Sequence, residues 1–305
     1  MSRRRAILLS RPLRGCGIQI GVALAIALAF APKTASAAPV DLYYERSVMA
    51  AANQRCGLFN ADLTSALESA RAQARGAALR SGFANAALSS VRQRASSRAA
   101  ATPCDSKDIA LAAARVRTAF DGYSKLHQMT FPGDLSSWRA DRLQAQRTMT
   151  WRLAQSANFG NDGLTFGLAG QAGASGLIAA VRFADNARPY AARLILRDVA
   201  RAAEPCLGQA GQGLAARMPL VGARSAFLAE ARSDADLSLL PRGAASGIAF
   251  RFPSAAADAL ANLDPREAVA VQFLFQGRRG ETVRTAYIEV GDFAAGRAFL
   301  AAGQR

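Results

Sequence analysis

The sequence predicts an α+β protein, with an N-terminal helical bundle of four to five helices followed by a mixed, mainly antiparallel β domain with short helices. Apolar residues recur at three- and four-residue steps from about residue 41 to 156, which is the period of a helix. After residue 176, short apolar stretches separated by turn residues are typical of strands. We therefore place the helical domain at 38–157 and the β domain at 177–305. The glycine-rich segment 158–176 is interpreted as a linker or a bulged strand.

The first 37 residues have the order of a secretion signal. Five arginines precede an apolar run of 17 residues, and the small residues Ala35-Ser36-Ala37 follow. This order predicts a signal peptide cleaved after Ala37, and it is favoured over a retained membrane anchor because the run is short and followed by an A-x-A site. We expect a periplasmic or secreted bacterial protein. Arg4-Arg5 leaves ordinary and twin-arginine export both open.

The mature chain stays basic. Removing residues 1–37 deletes six basic residues and no acidic residue, so the formal net charge falls from +16 to +10. Such a balance favours an anionic polymer or an envelope protein as partner, and we do not expect nucleic acid. No other apolar run approaches membrane-spanning length, so we expect no span in the mature form.

Four helices are predicted in order before residue 125, each with one apolar stripe. Three of these helices have an Asp, Asn or Ser residue at or just before their first residue, and such a residue can cap a helix N-terminus. The predicted limits are Asp41 to Cys56-Gly57, Asn60 or Asp62 to Gly82, Phe83 to just before Pro103, and Asp105 or Ser106 to Tyr123.

Three cysteines remain after cleavage. In an up-and-down bundle, the end of the first helix and the start of the fourth lie at the same pole, which brings Cys56 and Cys104 together. Since an exported protein meets an oxidising compartment, we predict a Cys56–Cys104 disulfide. Cys206 is then unpaired, and it is either buried or available for a disulfide-linked dimer.

A fifth helix is predicted from a cap at Ser136 through Arg152. Its aromatic and cationic side chains suggest a surface for an anionic partner. The alternative buries both tryptophans and leaves the arginines in water, and other arginines of the bundle (71, 75, 92, 94 and 98) are likewise interpreted as solvated helix faces. The proposed surface consists of Trp138, Arg139, Arg142, Arg147, Trp151 and Arg152.

The β domain is predicted to contain five strands. A turn at Asp185-Asn186 separates the first two, and Gly277-Arg278-Arg279-Gly280 forms a hairpin between the last two. A short helix is predicted at 254–263, and Asp292 is expected to cap a closing helix. The predicted strands are 177–183, 190–198, 248–252, 268–276 and 282–290.

Common catalytic motifs are missing from the sequence. There is no G-x-S-x-G elbow, no P-loop, no dinucleotide fingerprint and no C-x-x-C metal pair, so we expect no cofactor and no metal. His127, the one histidine, is interpreted as a loop residue. Glu289 with Asp292 and Asp264 with Glu267 are carboxylate pairs that could perform acid–base work on a glycan, but a helix cap and a turn explain Asp292 and Asp264 better.

Residues 247–300 carry a strand, Leu263-Asp264-Pro265, a strand, a hairpin and a last strand leading into Gly291-Asp292-Phe293-Ala294-Ala295-Gly296. This layout resembles the C-terminal part of the invasion-associated locus B family of secreted bacterial β-sandwich proteins. The family's cysteines in this region are absent here, and the helical half has no counterpart in the family. The resemblance implies a secreted envelope domain without catalytic residues.

From these observations we expect an exported, non-enzymatic envelope protein that acts in binding or assembly. The alternative is a periplasmic hydrolase that attacks an envelope polymer through the paired carboxylates. The two hypotheses differ in what those carboxylates contact.

Overall fold

The computed structural model describes residues 38–143, 148–171, 173–174, 176–209, 211–278 and 280–301; the side chain of Ser124 is not among the described groups. The predicted signal peptide at 1–37 therefore lies outside the described residues. Within them, the chain is α+β, as predicted: four helices precede two antiparallel sheets, and two further helices lie in the C-terminal part. No helix of the described residues has the length and apolar character needed to cross a membrane.

The N-terminal helices follow the predicted order and limits closely. Asn60 and Ser106 each accept a hydrogen bond from the backbone amide three residues later, so these two predicted N-caps are confirmed, whereas Asp41 lies inside the first turn and does not cap its helix. The first helix starts earlier than predicted, with Pro39 in its first turn, and it ends at Gly57 in the left-handed conformation (φ 63°). The four helices are α1 Pro39–Cys56, α2 Ala61–Arg80, α3 Asn85–Ala101 and α4 Lys107–Ala119.

The predicted fifth helix is wrong, because Ser137–Asp141 and the residues from Thr150 to Arg152 lie in strands. In this segment buried Trp138 and Ala140 alternate with exposed Ser137 and Arg139, which is the period of a strand and not of a helix. The predicted domain boundary at 157 falls inside the third strand of the sheet. The strands here are β1 Gln128–Pro132, β2 Ser137–Asp141 and β3 Thr150–Phe159.

The glycine-rich segment forms a strand, β4 Asp162–Gly170, instead of a linker. Every residue of β4 is buried, and the pairing of β3 with β4 shifts register between Trp151 and Leu153, which is a bulge. At Gly167 the backbone has φ 155°, and a Cβ atom would lie 1.9 Å from the Leu153 carbonyl oxygen. Glycine is therefore required where two strands approach this closely.

The C-terminal strands and helices agree with the prediction within about two residues at most ends. The described chain adds two edge strands that the sequence did not suggest, β7 and β8. The elements are β5 Gly176–Arg182, β6 Ala191–Arg197, β7 Arg224–Leu228, β8 Ala231–Asp234, β9 Ile248–Phe252, α5 Ser254–Ala261, β10 Ala268–Gly277, β11 Gly280–Glu289 and α6 Phe293–Ala301.

The described strands form a seven-stranded sheet in the order β1-β2-β3-β4-β5-β9-β8 and a four-stranded sheet in the order β11-β10-β6-β7. Buried side chains of both sheets join one hydrophobic cluster, which includes Phe166 and Phe250 from the first sheet and Val271 and Phe273 from the second. The same cluster includes Phe293 of α6. Because α6 also packs against α2, it joins the β core to the helices.

Candidate functional site

The carboxylate of Glu289, at the end of β11, holds the turn between β1 and β2. Glu289 is fully buried and accepts hydrogen bonds from the backbone amides of Asp134 (2.5 Å), Leu135 (2.9 Å) and Ser136 (2.7 Å), and from the Ser136 hydroxyl. The Arg217 guanidinium lies 3.6 Å from it. All of these contacts are with groups of the chain itself, which is the behaviour of a structural anchor.

The second predicted pair, Asp264 and Glu267, is also held by cations. Glu267 accepts hydrogen bonds from Nε (2.6 Å) and Nη2 (2.9 Å) of Arg197, and the side chains of both residues are buried. Asp264 accepts three hydrogen bonds from Arg266, two from its guanidinium group and one from its backbone amide, and one from Asn85 Nδ2 (2.7 Å). Burial alone would raise the pKa of Asp264, but the hydrogen bonds from Arg266 outweigh it and hold this pKa below its ordinary value.

Asp292 does not cap α6 through its side chain. Its carboxylate instead accepts two hydrogen bonds from Arg80, at 2.9 and 3.0 Å. These bonds tie the C-terminal end of α2 to the turn between β11 and α6. Burial raises the pKa of Asp292, and the hydrogen bonds from Arg80 oppose this rise. The pair can meet because residue 76 of α2 is glycine: a Cβ there would lie 2.0 Å from Asp292 Oδ1.

We refer to Glu289, Asp292, Asp264 and Glu267 with their partners as the acidic junction. The two carboxylate pairs on which the hydrolase hypothesis depended are each committed to guanidinium or amide donors. A general acid or base must be able to exchange a proton with a substrate, and all four carboxylates are buried and bound by donors of the chain. The described residues also contain no group of three or more His, Cys, Asp or Glu side chains that could hold a metal ion.

The predicted surface for an anionic partner does not form as a helix face. Trp138 is fully buried and donates to the Val290 carbonyl, and Trp151 donates to the Leu239 carbonyl. Buried Arg152 donates to the carbonyls of Leu143 and Gln171.

The other arginines of that predicted surface are scattered as well. Arg142 donates to the Phe299 carbonyl and lies 3.5 Å above the Phe299 ring, whereas exposed Arg139 donates to Gln128. Arg147 lies outside the described residues. The error follows from the wrong helix: alternation along β2 and β3 sends these side chains to opposite faces of the sheet.

The cysteine predictions agree with the structure where it describes them. Cys56 and Cys104 form a disulfide with a Cα–Cα distance of 5.7 Å, joining the end of α1 to the loop before α4. Cys206 is a free, half-buried thiol whose Sγ donates to the Met218 carbonyl. A dimer through Cys206 stays a prediction. His127 is exposed in the loop before β1.

A cavity of about 210 Å³ lies where α1, α2 and α3 meet the turn between β11 and α6. Its walls include Arg71 and Arg75 from α2, Arg92 from α3 and Tyr43 from α1. We call it the arginine cavity. From the sequence, these arginines are interpreted as solvated helix faces. The cavity is not predictable from the sequence, because it forms only when α6 docks against α2.

The charge of the arginine cavity is not balanced by the chain. Arg71 is paired with Glu68, and Asp292, which also lines the cavity, is paired with Arg80. Arg75 uses one of its five donors on Asn85 Oδ1 (2.7 Å), and Arg92 has no side-chain partner in the described residues. The charge of Asp292 also acts on Arg75. Arg92, which is exposed, therefore borders the cavity without a carboxylate partner among the described residues.

One sequence signal could have indicated this site. Helix α3 carries Arg92, Arg94 and Arg98 and no acidic residue, and none of the three has a side-chain partner in the part of the chain that the structure describes. Comparison of the chain with protein-family models, curated proteins and solved structures finds no match.

Proposed function

We propose that the chain is an exported envelope protein that binds an anionic polymer and catalyses no reaction of its own. The observation that carries the proposal is the arginine cavity, where Arg75 and Arg92 form no ion pair within the described residues. Folded proteins pair charges that are drawn together for structural reasons, as the acidic junction does. Cations that converge on a cavity with spare donors are instead suited to an anion supplied from outside.

Two further features support the proposal. The Cys56–Cys104 disulfide is the kind of bond that persists in oxidising compartments outside the cytoplasm, in agreement with the predicted secretion signal. Residues 248–301 have the element order expected from the sequence, on which the resemblance to the invasion-associated locus B family rests. We propose the relationship to that family as part of the same hypothesis.

Direct titration tests the proposal. Mature protein comprising residues 38–305 is titrated with polyphosphate and with polygalacturonate, a phosphate polymer and a carboxylate polymer, at several salt concentrations. We expect saturable binding of at least one polymer that weakens as salt rises, because screening reduces the attraction between exposed charges. The double variant Arg75→Ala/Arg92→Ala is expected to lose at least about tenfold in affinity.

The control is a pair of arginines of equal charge placed elsewhere. Arg182 and Arg232 are exposed on the seven-stranded sheet and have no side-chain partner in the described residues. Arg182→Ala/Arg232→Ala removes the same net charge and should keep the affinity within about twofold. Absence of binding to both polymers, or equal losses in the two double variants, would contradict the proposed function.

A further inference from the structure

The arginine cavity has the size of one small anionic group. At about 210 Å³ it is smaller than the pockets of roughly 300–1,000 Å³ that enclose drug-sized ligands. A polymer backbone cannot enter such a volume, but a terminal or pendant group can. The ligand group is therefore compact, and the remainder of its molecule must lie outside the cavity.

Hydrogen-bond donors reach this cavity from several directions. Arg71 and Arg75 come from α2, and Arg92 comes from the separate helix α3. A carboxylate is planar and is satisfied by one guanidinium fork, whereas a phosphate group presents tetrahedrally arranged oxygens to donors on several sides. Three guanidinium groups on two helices fit the tetrahedral group better.

The first turn of α6 adds to the positive potential. Ala294 and Ala295 line the cavity, and amides in the first turn of a helix have no intrahelical acceptor. The Asp292 carboxylate, which could have accepted from them, is bound by Arg80 instead. The N-terminal end of a nine-residue helix thus borders the same space as the arginines, and this is an arrangement that favours phosphate.

Tyr43 adds an uncharged polar group to the wall of the cavity. The residue is 3% exposed, its ring packs in a cluster with residues of α2 and α3, and it lines the cavity. Its hydroxyl has no hydrogen-bond partner in the described residues and is not among their fully buried unpartnered polar atoms, so it is accessible to solvent or to a ligand. A phenolic hydroxyl can donate a hydrogen bond to a phosphate oxygen, and Tyr43 is therefore a candidate donor to a group bound in the cavity.

We infer that the arginine cavity is a binding site for a single phosphate group. The inference rests on the proposed function and narrows its partner to a phosphate-bearing one. The same chemistry can come from free inorganic phosphate or from a phosphate monoester on a larger envelope molecule. The experiment separates these two sources.

Calorimetric titration of the mature protein with inorganic phosphate, glycerol phosphate and acetate at matched ionic strength tests the inference. We expect phosphate-containing ligands to bind at least about tenfold more tightly than acetate. Tighter binding of glycerol phosphate than of inorganic phosphate supports a pendant group on a larger molecule, and the reverse order supports free phosphate. Equal affinity for acetate and phosphate would overturn the inference.

Two neighbouring arginines of α3 form a matched pair of variants. Arg92 lines the cavity and Arg94 does not, and neither has a side-chain partner in the described residues, so neither substitution should unfold the protein. Arg92→Ala should weaken phosphate binding at least about tenfold, and Arg94→Ala should leave it within about twofold. Tyr43→Phe keeps the packed ring and should weaken binding severalfold. Equal effects of Arg92→Ala and Arg94→Ala would show nonspecific attraction and overturn the site.

The outcomes distinguish this inference from the proposed function. If polymers bind but inorganic phosphate and glycerol phosphate do not, the phosphate site is wrong and the binding function stands. If phosphate binds in an Arg92-dependent manner and neither polymer binds, the site stands and the polymer-binding function is wrong. Urea unfolding of each variant verifies that a loss of binding is not a loss of fold.

Discussion

The acidic junction and the arginine cavity share the turn between β11 and α6, yet they use charge in opposite ways. In the junction, the carboxylates of Glu289 and Glu267 are buried and surrounded by donors of the chain. In the cavity, Arg92 has no side-chain partner in the described residues, and Arg75 donates one hydrogen bond, to Asn85. Charges that are paired within the chain stabilise the docking of the helices on the sheets, whereas arginines that form no ion pair indicate a site for an anionic ligand.

Asn85 connects the two regions. Its Oδ1 accepts from Arg75 at the cavity, and its Nδ2 donates to Asp264 in the junction. The comparison predicts that substitutions in the junction lower stability and that substitutions in the cavity lower binding with little change in stability. Three substitutions in or beside the junction test the first half of this statement, and they differ in how completely they remove a partner.

The largest effect is expected at the buried pair of Arg197 and Glu267, whose side chains are 5% and 1% exposed. Arg197→Ala leaves the Glu267 carboxylate buried without its cation, which should lower the free energy of unfolding by about 3–5 kcal/mol. Urea unfolding followed by far-UV circular dichroism measures this change.

The control for Arg197 is an exposed pair. Arg188 and Asp234 are 60% and 81% exposed, so Arg188→Ala should change stability by at most about 1 kcal/mol. If Arg197→Ala were no more destabilising than Arg188→Ala, the junction would not be the element that holds the fold together.

Asp264 predicts a pH dependence. Its pKa is lowered in the folded state by the hydrogen bonds from Arg266, which outweigh burial. A carboxyl group whose pKa is lower in the folded than in the unfolded state stabilises the fold at pH values above its unfolded-state pKa of about 3.9. This stabilisation is lost as the pH falls through the folded-state pKa. Asp264→Asn should therefore cost about 2 kcal/mol at neutral pH, with a difference from wild type that shrinks below about pH 4.

Unfolding free energies of wild type and Asp264→Asn measured across this range check the sign. The comparison variant is Asp258→Asn, because Asp258 pairs with Arg297 on the surface and is 64% exposed. Its effect should stay within about 1 kcal/mol. A difference between wild type and Asp264→Asn that is constant from neutral to acidic pH would contradict the assignment of this carboxylate to a stabilising ion pair.

The sequence predicted elements whose signals are local. Asn60 and Ser106 cap their helices, and Gly57 ends one. Val269, Val271 and Phe273 lie on the face of β10 that joins the main hydrophobic cluster, but the opposite face, predicted to be wet, is buried as well at Ala268, Ala270 and Leu274. The disulfide was also predictable, because helix order places Cys56 and Cys104 at one pole. These features depend on residues near one another in the chain or on simple connectivity.

The sequence did not predict the features that depend on packing between distant parts of the chain. Trp138 and Trp151 fit a helical spacing by coincidence, and only pairing with neighbouring strands makes this segment β. The glycines of 162–170 left a linker and a bulged strand both open, and the strand forms because both faces of β4 are covered. The cavity was not predictable because Tyr43 and Ala294 are separated by most of the chain and meet only through the docking of α6 on α2.

The smallest effect is expected at Gly76, where two opposing terms compete. Alanine is favoured over glycine within a helix by about 1 kcal/mol. Its Cβ would lie 2.0 Å from Asp292 Oδ1, so the carboxylate must leave Arg80, and losing hydrogen bonds to a charged group costs about 1.5–3 kcal/mol. The net expectation for Gly76→Ala is a loss of about 1 kcal/mol.

Gly122→Ala is the matched control, because a Cβ at Gly122 meets nothing within 4 Å and the backbone there has an ordinary φ of −85°. We expect it to change the free energy of unfolding by less than about 0.5 kcal/mol. If Gly76→Ala were instead more stable than wild type, Asp292 would have a second position of equal energy. The Arg80–Asp292 pair would then not belong with the satisfied charges of the junction.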